Sequence, residues 1–372
     1  MITPNVSDIA GIVNKIAPFG YAEEWDNVGL QVGDPGAAAG RIMVALDPGY
    51  AAVEAAVAAG CQVLLTHHPF LFKPLKKISL TDPLGRLLAL ALKNDLAVIS
   101  LHTNYDSADE GLNDLLAGRL GVEGGVPLQV TGSEELVKLA VFVPLGHEES
   151  VLAALFRCSG VIGAYRDCSF RAPGIGTFTP LAGATPFLGT VGVREEVEES
   201  RVEVLLRREA MPAALKALRQ AHPYEEPAYD LYPLLNRGPV HGLGRIGALP
   251  AALPLGEFAR QVKDRLGAGG LRLVGDPGSL VQKVAVCGGS GSSLLRTARQ
   301  QGADLLVTGD VKYHEAREAE DLGIALLDAG HFATEVLMVQ GFADRLEREL
   351  AARRYAAQVI PCAVERDPFV FV

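Results

Sequence analysis

Three stretches of the sequence put imidazoles and carboxylates where a chain is expected to turn. In VLLTHHPF (63–70), His67 and His68 follow an apolar run and a threonine and precede Pro69. Neighbouring residues on a strand point to opposite faces, so the two imidazoles share a site only where the strand ends. Pro69 favours such a turn by restricting the residue before it. In HTNYDSADEGLNDLL (102–116), Asp106 falls in the loop expected after an apolar strand. Ser107 or Asp109 is the expected cap of a helix through Leu112, Leu115 and Leu116, and capping is also the alternative role of Asp106. In LLDAGHFATEVLMVQGFADRL (326–346), His331 and Glu335 stand four apart at a helix start, a spacing that sets both on one face.

Each stretch has an ordinary reading: satisfied histidines, a helix cap, a polar pair on a solvated face. Together they offer His67, His68, Asp106, His331 and Glu335 from three strand ends, which is metal-site chemistry. Mixed imidazole and carboxylate donors suit zinc, iron or manganese. Five ligands exceed one tetrahedral ion and do not saturate two. The economical reading is two divalent ions bridged by a carboxylate, with water in the open positions. Adjacent imidazoles then serve different ions.

Other residues are candidates for supporting roles. CGGSGSSLLRTARQQ (287–301) reads as a strand end, a Gly/Ser turn and a helix start, where Ser290, Gly291 and Ser292 present backbone N–H groups to an anionic substrate. An ordinary cap by Ser292 or Ser293 is the competing account, and no P-loop or dinucleotide fingerprint is present. Asp310 and Lys312 follow a strand end as substrate-binding candidates, with His314 as a proton shuttle; a solvated helix start is their alternative. Glu24, beside the only tryptophan, and His102 are candidates to orient the metal ligands from behind. GIGTFTPLAG and AHPYEEPAYD read as turns and packing that could shape a contact between subunits.

The elements that would position these groups form an α/β fold with an internal repeat. RIMVALDPGYAAVEAAVAAGCQVLLTHH and VQKVAVCGGSGSSLLRTARQQGADLLVTGD share a strand–turn–helix–Gly–strand–Thr pattern, with His68 opposite Asp310. They are expected to be two pseudo-repeated halves of one sheet in one metal-binding domain, residues 1–128 plus 240–372. Ligands gather beyond the carboxyl ends of parallel strands, where all the candidates lie. Gly/Pro-rich stretches at 121–135 and 236–250 read as loops bracketing an inserted α+β domain, 130–237. There the pattern predicts strands 136–143, 202–207 and 228–232, helices 148–157 and 211–221, and an irregular Gly/Pro-rich part between, a ferredoxin-like arrangement.

Bulk properties exclude several classes. The chain has 372 residues with a formal charge of −10 and a pI near 5.4, which disfavours a nucleic-acid partner. No apolar stretch approaches the roughly 20 residues of a membrane span. Five cysteines without a C-x-x-C pair fit a reduced, cytoplasmic setting.

EEWDNVGLQVGD (23–34), LLTHHPFLF (64–72), NYDSADEGLNDLL (104–116), VAVCGGSGSSLL (284–295) and DAGHFATE (328–335) resemble the NIF-three-like family of dinuclear-metal-centre hexameric proteins. Members carry the label GTP cyclohydrolase 1 type 2 homologue. The resemblance spans essentially the whole chain, and CSFRAPGIGTFTPLAGATPF and AHPYEEPAYDLYPL look like the insert of its longer bacterial members. It implies the same five metal ligands, a toroidal homohexamer with metal sites facing an internal cavity, and an insert similar to PII and CutA proteins. The implied activity is hydrolytic opening of the purine imidazole ring of a nucleotide such as GTP. The alternative is a non-catalytic metal-handling or regulatory hexamer whose insert binds a ligand or partner.

Overall fold

The computed structural model describes residues 2–372, which form two compact units: one up to Gly132 and from His241 onward, the other Ser133–Val240. The first unit opens with α1 (Val6–Ile16), started by a capping box between Asn5 and Asp8 and buried through Ile9, Ile12, Val13 and Ile16. There follow β1 (Gly29–Val32), β2 (Arg41–Ala45), α2 (Tyr50–Ala58), β3 (Val63–Thr66), α3 (Pro83–Lys93), β4 (Ala97–Ser100), α4 (Thr103–Ser107) and α5 (Leu112–Leu120). The chain leaves this unit along β5 (Glu123–Pro144). In the second unit it forms α6 (Glu148–Leu155), β6 (Ser169–Phe178), β7 (Glu195–Arg207) and α7 (Met211–Ala221), and it returns along β8 (Tyr229–Pro254). The first unit then resumes with α8 (Leu255–Leu266), β9 (Arg272–Val274), β10 (Leu280–Val286), α9 (Leu295–Gln300), β11 (Leu305–Thr308) and α10 (Tyr313–Leu322). It ends with β12 (Ala325–Asp328), α11 (His331–Glu335), α12 (Leu337–Ala352) and β13 (Gln358–Pro361).

The two halves of the first unit repeat the order and direction of four strands. In the first, β4, β3 and β2 run parallel in that spatial order, with β1 antiparallel beside β4. In the second, β12, β11 and β10 run parallel in the same order, with β9 antiparallel beside β12. The halves do not share one sheet, as the sequence pattern suggested; they lie in two. The reason is the helices: α1 and α12 cover one face of the first sheet, α5 and α8 one face of the second, and α5 packs on α12. Helices α2 and α3 cover the remaining face of the first sheet, and α9 and α10 that of the second. Strands covered on both faces read as continuous apolar runs: β3, β4 and β11 are buried at every position.

Of the stretches expected as loops, 121–135 lies in the long strand β5 from Glu123 onward, and 236–250 lies within the long strand β8. Their glycines permit close approach of backbone: a Cβ on Gly242 would stand 1.9 Å from the carbonyl oxygen of Gln129. In the second unit the element order is βαββαβ and the strand order β6-β7-β5-β8. The part expected to be irregular contains β6, paired antiparallel with β7 from Ser169 opposite Val204 to Phe178 opposite Glu195. Pro173, Gly174 and Gly176 hide the alternation, and an edge strand tolerates them. Helices α6 and α7 cover one face of this sheet through Val151, Leu155 and Leu218 against Val202, Val204 and Leu206.

Among the described residues no helix is long and apolar enough to cross a membrane.

Candidate metal centre

Strand β3 delivers His67 and His68, and its end is bent by specific bonds. The backbone N–H groups of His67 and His68 both donate to the Leu46 carbonyl, at 3.1 and 3.0 Å, and the Thr66 hydroxyl donates to the His68 carbonyl at 2.8 Å. The turn brings both imidazoles to one side, with ring centroids 5.2 Å apart. His67 is fully buried.

Beyond β4 the chain does not form the expected loop around Asp106. It forms the short helix α4, which contains Asp106. Neither Ser107 nor Asp109 caps α5; its N-cap is Gly111, without a side-chain bond. Asn113 instead donates to the Asp106 carbonyl at 3.0 Å and so ties the two helices together. Asp106 Oδ1 lies 3.7 Å from His67 Nε2.

The second half supplies α11, whose first and last residues are His331 and Glu335. Glu335 is buried at the centre: its Oε1 lies 3.7 Å from His67 Nε2, and its Oε2 lies 2.9 Å from His331 Nε2 and 3.1 Å from His68 Nε2. His68 Nε2 and His331 Nε2 are themselves 3.2 Å apart. Both nitrogens of His67, Asp106 Oδ1 and Glu335 Oε2 are buried without an aligned hydrogen-bond partner. Buried polar atoms are rarely left in this state, and a cluster of them aimed at common space is the signature of ligand atoms.

Around these groups stand further carboxylates. Asp47, in the turn after β2, lies 2.7 Å from His68 Nδ1, and Asp310, in the turn after β11, lies 2.6 Å from His331 Nδ1. With Nδ1 of each ring turned to its own aspartate, both Nε2 atoms are turned toward each other and toward Glu335, where a proton or a cation can sit. Asp310 has a left-handed backbone, φ +54°, at this turn. His102 Nδ1 lies 2.9 Å from Asp26 Oδ1, and Asp26 Oδ2 accepts from the Thr103 hydroxyl at 2.5 Å. Among the described residues two triplets, His67–His68–His102 and His68–His331–Glu335, each hold their ligand atoms within 4.8 Å of one another. A metal ion can be held here.

The electrostatics follow from this crowding. Burial and the Glu335 charge push the Asp106 carboxyl up to about 7. Burial acts the same way on Glu335, but the imidazoles crowded around it outweigh it and hold that carboxyl well below its ordinary range. Burial lowers the His68 imidazole, yet Asp47 and Glu335 outweigh it and push it up to about 10. The bond to Glu335, with Asp310 behind, pushes His331 up to about 9. Burial also raises Asp26, but the His102 and Thr103 bonds hold it below the usual carboxylate range.

The remaining sequence candidates lie around this centre or away from it. Glu24 is exposed; the carboxylate that reaches His102 belongs to Asp26. Trp25 is 58 % exposed and stands edge-on to His102, 5.9 Å between ring centroids, so it rims the site. Ser290 and Ser292 help line a cavity of about 350 Å³ with Arg296, while Gly291 donates its N–H to Thr308 at 2.8 Å. Lys312 is exposed and donates its backbone N–H to Glu315 at 2.7 Å; His314 is exposed beside Tyr313. Two contributors were missed: Asp47, whose signal is its place after a strand like Asp310, and Gly289. A Cβ on Gly289 would stand 2.1 Å from Glu335 Oε1, and its φ is +59°.

This arrangement belongs to a chain with many relatives. The family described as Duf34/NIF3 (NGG1p interacting factor 3) matches residues 4–368. A Bacillus subtilis protein named GTP cyclohydrolase 1 type 2 homolog is 40% identical over 369 residues, covering 99% of each chain. A Mycobacterium tuberculosis protein of the same name is 37% identical, covering 98% of this chain and 96% of its own. Among solved structures, a Bacillus cereus protein related to NIF3 is 39% identical with a TM-score of 0.94 over 100% of both chains. A Staphylococcus aureus protein is 26% identical with a TM-score of 0.77 over the same full coverage. Matched from end to end in sequence and in fold, the chain belongs to the Duf34/NIF3 family.

Proposed function

We propose that the chain is a metal-dependent hydrolase of nucleotides, with two divalent cations (zinc, iron or manganese) held by His67, His68, Asp106, His331 and Glu335. The observation that carries this reading is the set of buried atoms on His67, Asp106 and Glu335 that have no aligned hydrogen-bond partner. Glu335, with one oxygen toward His67 and the other between His68 and His331, is the carboxylate that would serve both cations. Cations held there supply Lewis acidity and generate a nucleophile from water near neutral pH. Asp47 and Asp310 keep the His68 and His331 rings in the tautomer that turns Nε2 to the centre. Proton transfer falls to His102, anchored by Asp26, ahead of the exposed His314. Of the substrate-binding candidates, Ser290, Ser292 and Lys312 remain to receive the polar end of the substrate, because the Gly291 N–H is taken by Thr308 and Asp310 by His331.

The nucleotide rests on the names carried by the relatives, and the reaction taken from them is opening of the purine imidazole ring. The βαββαβ order and strand order β6-β7-β5-β8 support a ferredoxin-like, PII- or CutA-like reading of the insert, residues 130–237. A toroidal homohexamer is the assembly proposed with it. Partial exposure of His331, 33% at its side chain, favours the second reading, a non-catalytic metal-handling hexamer, because an open ligand permits exchange.

The test is elemental analysis of purified protein followed by GTP turnover after reconstitution with zinc, iron or manganese. The expected result is two ions per chain and a formamidopyrimidine product. Asp106→Ala is expected to lose metal while melting as the metal-free protein does. Full metal occupancy without turnover at any loading discards the hydrolase and leaves metal handling.

A further inference from the structure

The insert contains a cavity of about 650 Å³ that the chemistry proposed above does not use. Its walls come from the two stretches the sequence singled out there: Ile175 to Phe178 of β6 with the loop through Phe187, and Tyr224 to Glu226. It lies on the sheet face away from the helices. Along β7, Val202 and Val204 pack toward α6 and α7, so the alternate positions Glu199 and Arg201 face the other way, into the cavity lining.

The lining combines aromatic rings with a buried carboxylate. Tyr224 stands between two phenylalanines, its ring centroid 5.9 Å from Phe178 and 6.3 Å from Phe187. Glu199 is 7% exposed, and its Oε1 accepts from the Tyr224 hydroxyl at 3.0 Å. A Cβ on Gly176 would stand 2.0 Å from Glu199 Oε2, so the strand leaves that oxygen its place only by having no side chain there. Glu225 and Glu226 add negative charge to the wall. Arg201, the cation of the lining, is already paired with Glu203 at 3.0 Å. A carboxylate this buried is costly unless a donor or an opposite charge completes it, and Tyr224 supplies one neutral bond.

We infer that this cavity is a second ligand site, for an organic cation: a flat aromatic or apolar body held by Phe178, Phe187 and Tyr224, with its cationic nitrogen on Glu199. Rings around a cation add cation–π attraction to the ion pair, and the cavity falls in the roughly 300–1,000 Å³ range of small-molecule sites.

The test is calorimetric titration of the full-length, metal-loaded protein with tryptamine, an indole body bearing an ammonium group, and with indole-3-acetate, a similar body bearing a carboxylate. Saturable binding of one tryptamine per chain is expected, at least tenfold tighter than indole-3-acetate. Glu199→Gln is expected to weaken tryptamine at least tenfold with metal content unchanged. Phe187→Ala, a half-exposed position whose loss leaves the sheet intact, is expected to weaken it severalfold. Equal binding of the two probes, or tryptamine binding indifferent to both substitutions, overturns the proposal. So does the absence of saturable binding, the result if another copy of the chain fills the cavity.

Discussion

His68 and His331 are 263 residues apart in the chain, yet their Nε2 atoms lie 3.2 Å apart, and each ring is held from behind by its own carboxylate. Asp47 stands behind His68 and Asp310 behind His331, each in the turn after a parallel strand. The repeat of the two halves is thus expressed in the site itself. Glu335 closes the arrangement by reaching both rings with one oxygen.

Protons and cations compete for these two nitrogens, which sets a pH dependence. Without metal, His68 and His331 are raised to about 10 and about 9, above the ordinary imidazole value of 6.5. Groups raised by folding stabilise the native state fully below their unfolded value, and that contribution is lost as pH rises through the folded value. The chelated protein is therefore expected to lose thermal stability between about pH 6.5 and 10. Metal binding requires the unprotonated nitrogens and strengthens over the same interval. The melting-temperature gap between metal-loaded and chelated protein should widen as pH rises; a gap that narrows contradicts the assignment of these rings as ligands.

Gly289→Ala tests the backbone contact against Glu335. The added methyl falls 2.1 Å from Glu335 Oε1 and must displace that carboxylate. Metal content is expected to fall by half or more. Gly267→Ala is the control: φ there is +64°, similar to the +59° of Gly289, but nothing lies within 4 Å of the new Cβ. It should cost about 1 kcal/mol of stability and no metal. Equal metal retention in both variants removes Glu335 from the centre.

Asp47→Ala and Asp310→Ala each remove a carboxylate that orients a ring without offering a ligand. Each is expected to weaken metal affinity by about 10–100-fold, measured by competition with a chromogenic chelator. Because the two aspartates stand behind different rings, the double variant should approach the sum of the single effects in free energy. Wild-type affinity in either single variant shows that the ring is fixed by its packing alone.

Arg245→Ala addresses the frame that holds α4 and α5 in place. This buried guanidinium makes a two-pronged bond to Asp114 at 2.7 and 2.8 Å and donates to the carbonyls of Gly242, Gly244 and Ala108. Removing it leaves those acceptors without their donor inside the first unit, and about 3–5 kcal/mol of stability should be lost in urea unfolding. A loss under 1 kcal/mol would show that water replaces the side chain at little cost.

By itself the sequence determined the residue types at the strand ends, the helical pairing of His331 with Glu335, the repeat of strand–helix–strand units and the family. These are local patterns: apolar runs mark buried strands, and a strand's end is where polar groups gather. Tertiary structure decided which ends meet. Two helix layers between the halves made two sheets where one was expected, and close approach of glycine backbone turned expected loops into the long strands β5 and β8. The same packing chose Asp26 over Glu24 as the partner of His102 and placed Asp47 and Gly289 at the centre. No short-range period encodes such pairings, because each depends on a distance between residues that only the folded layers bring together.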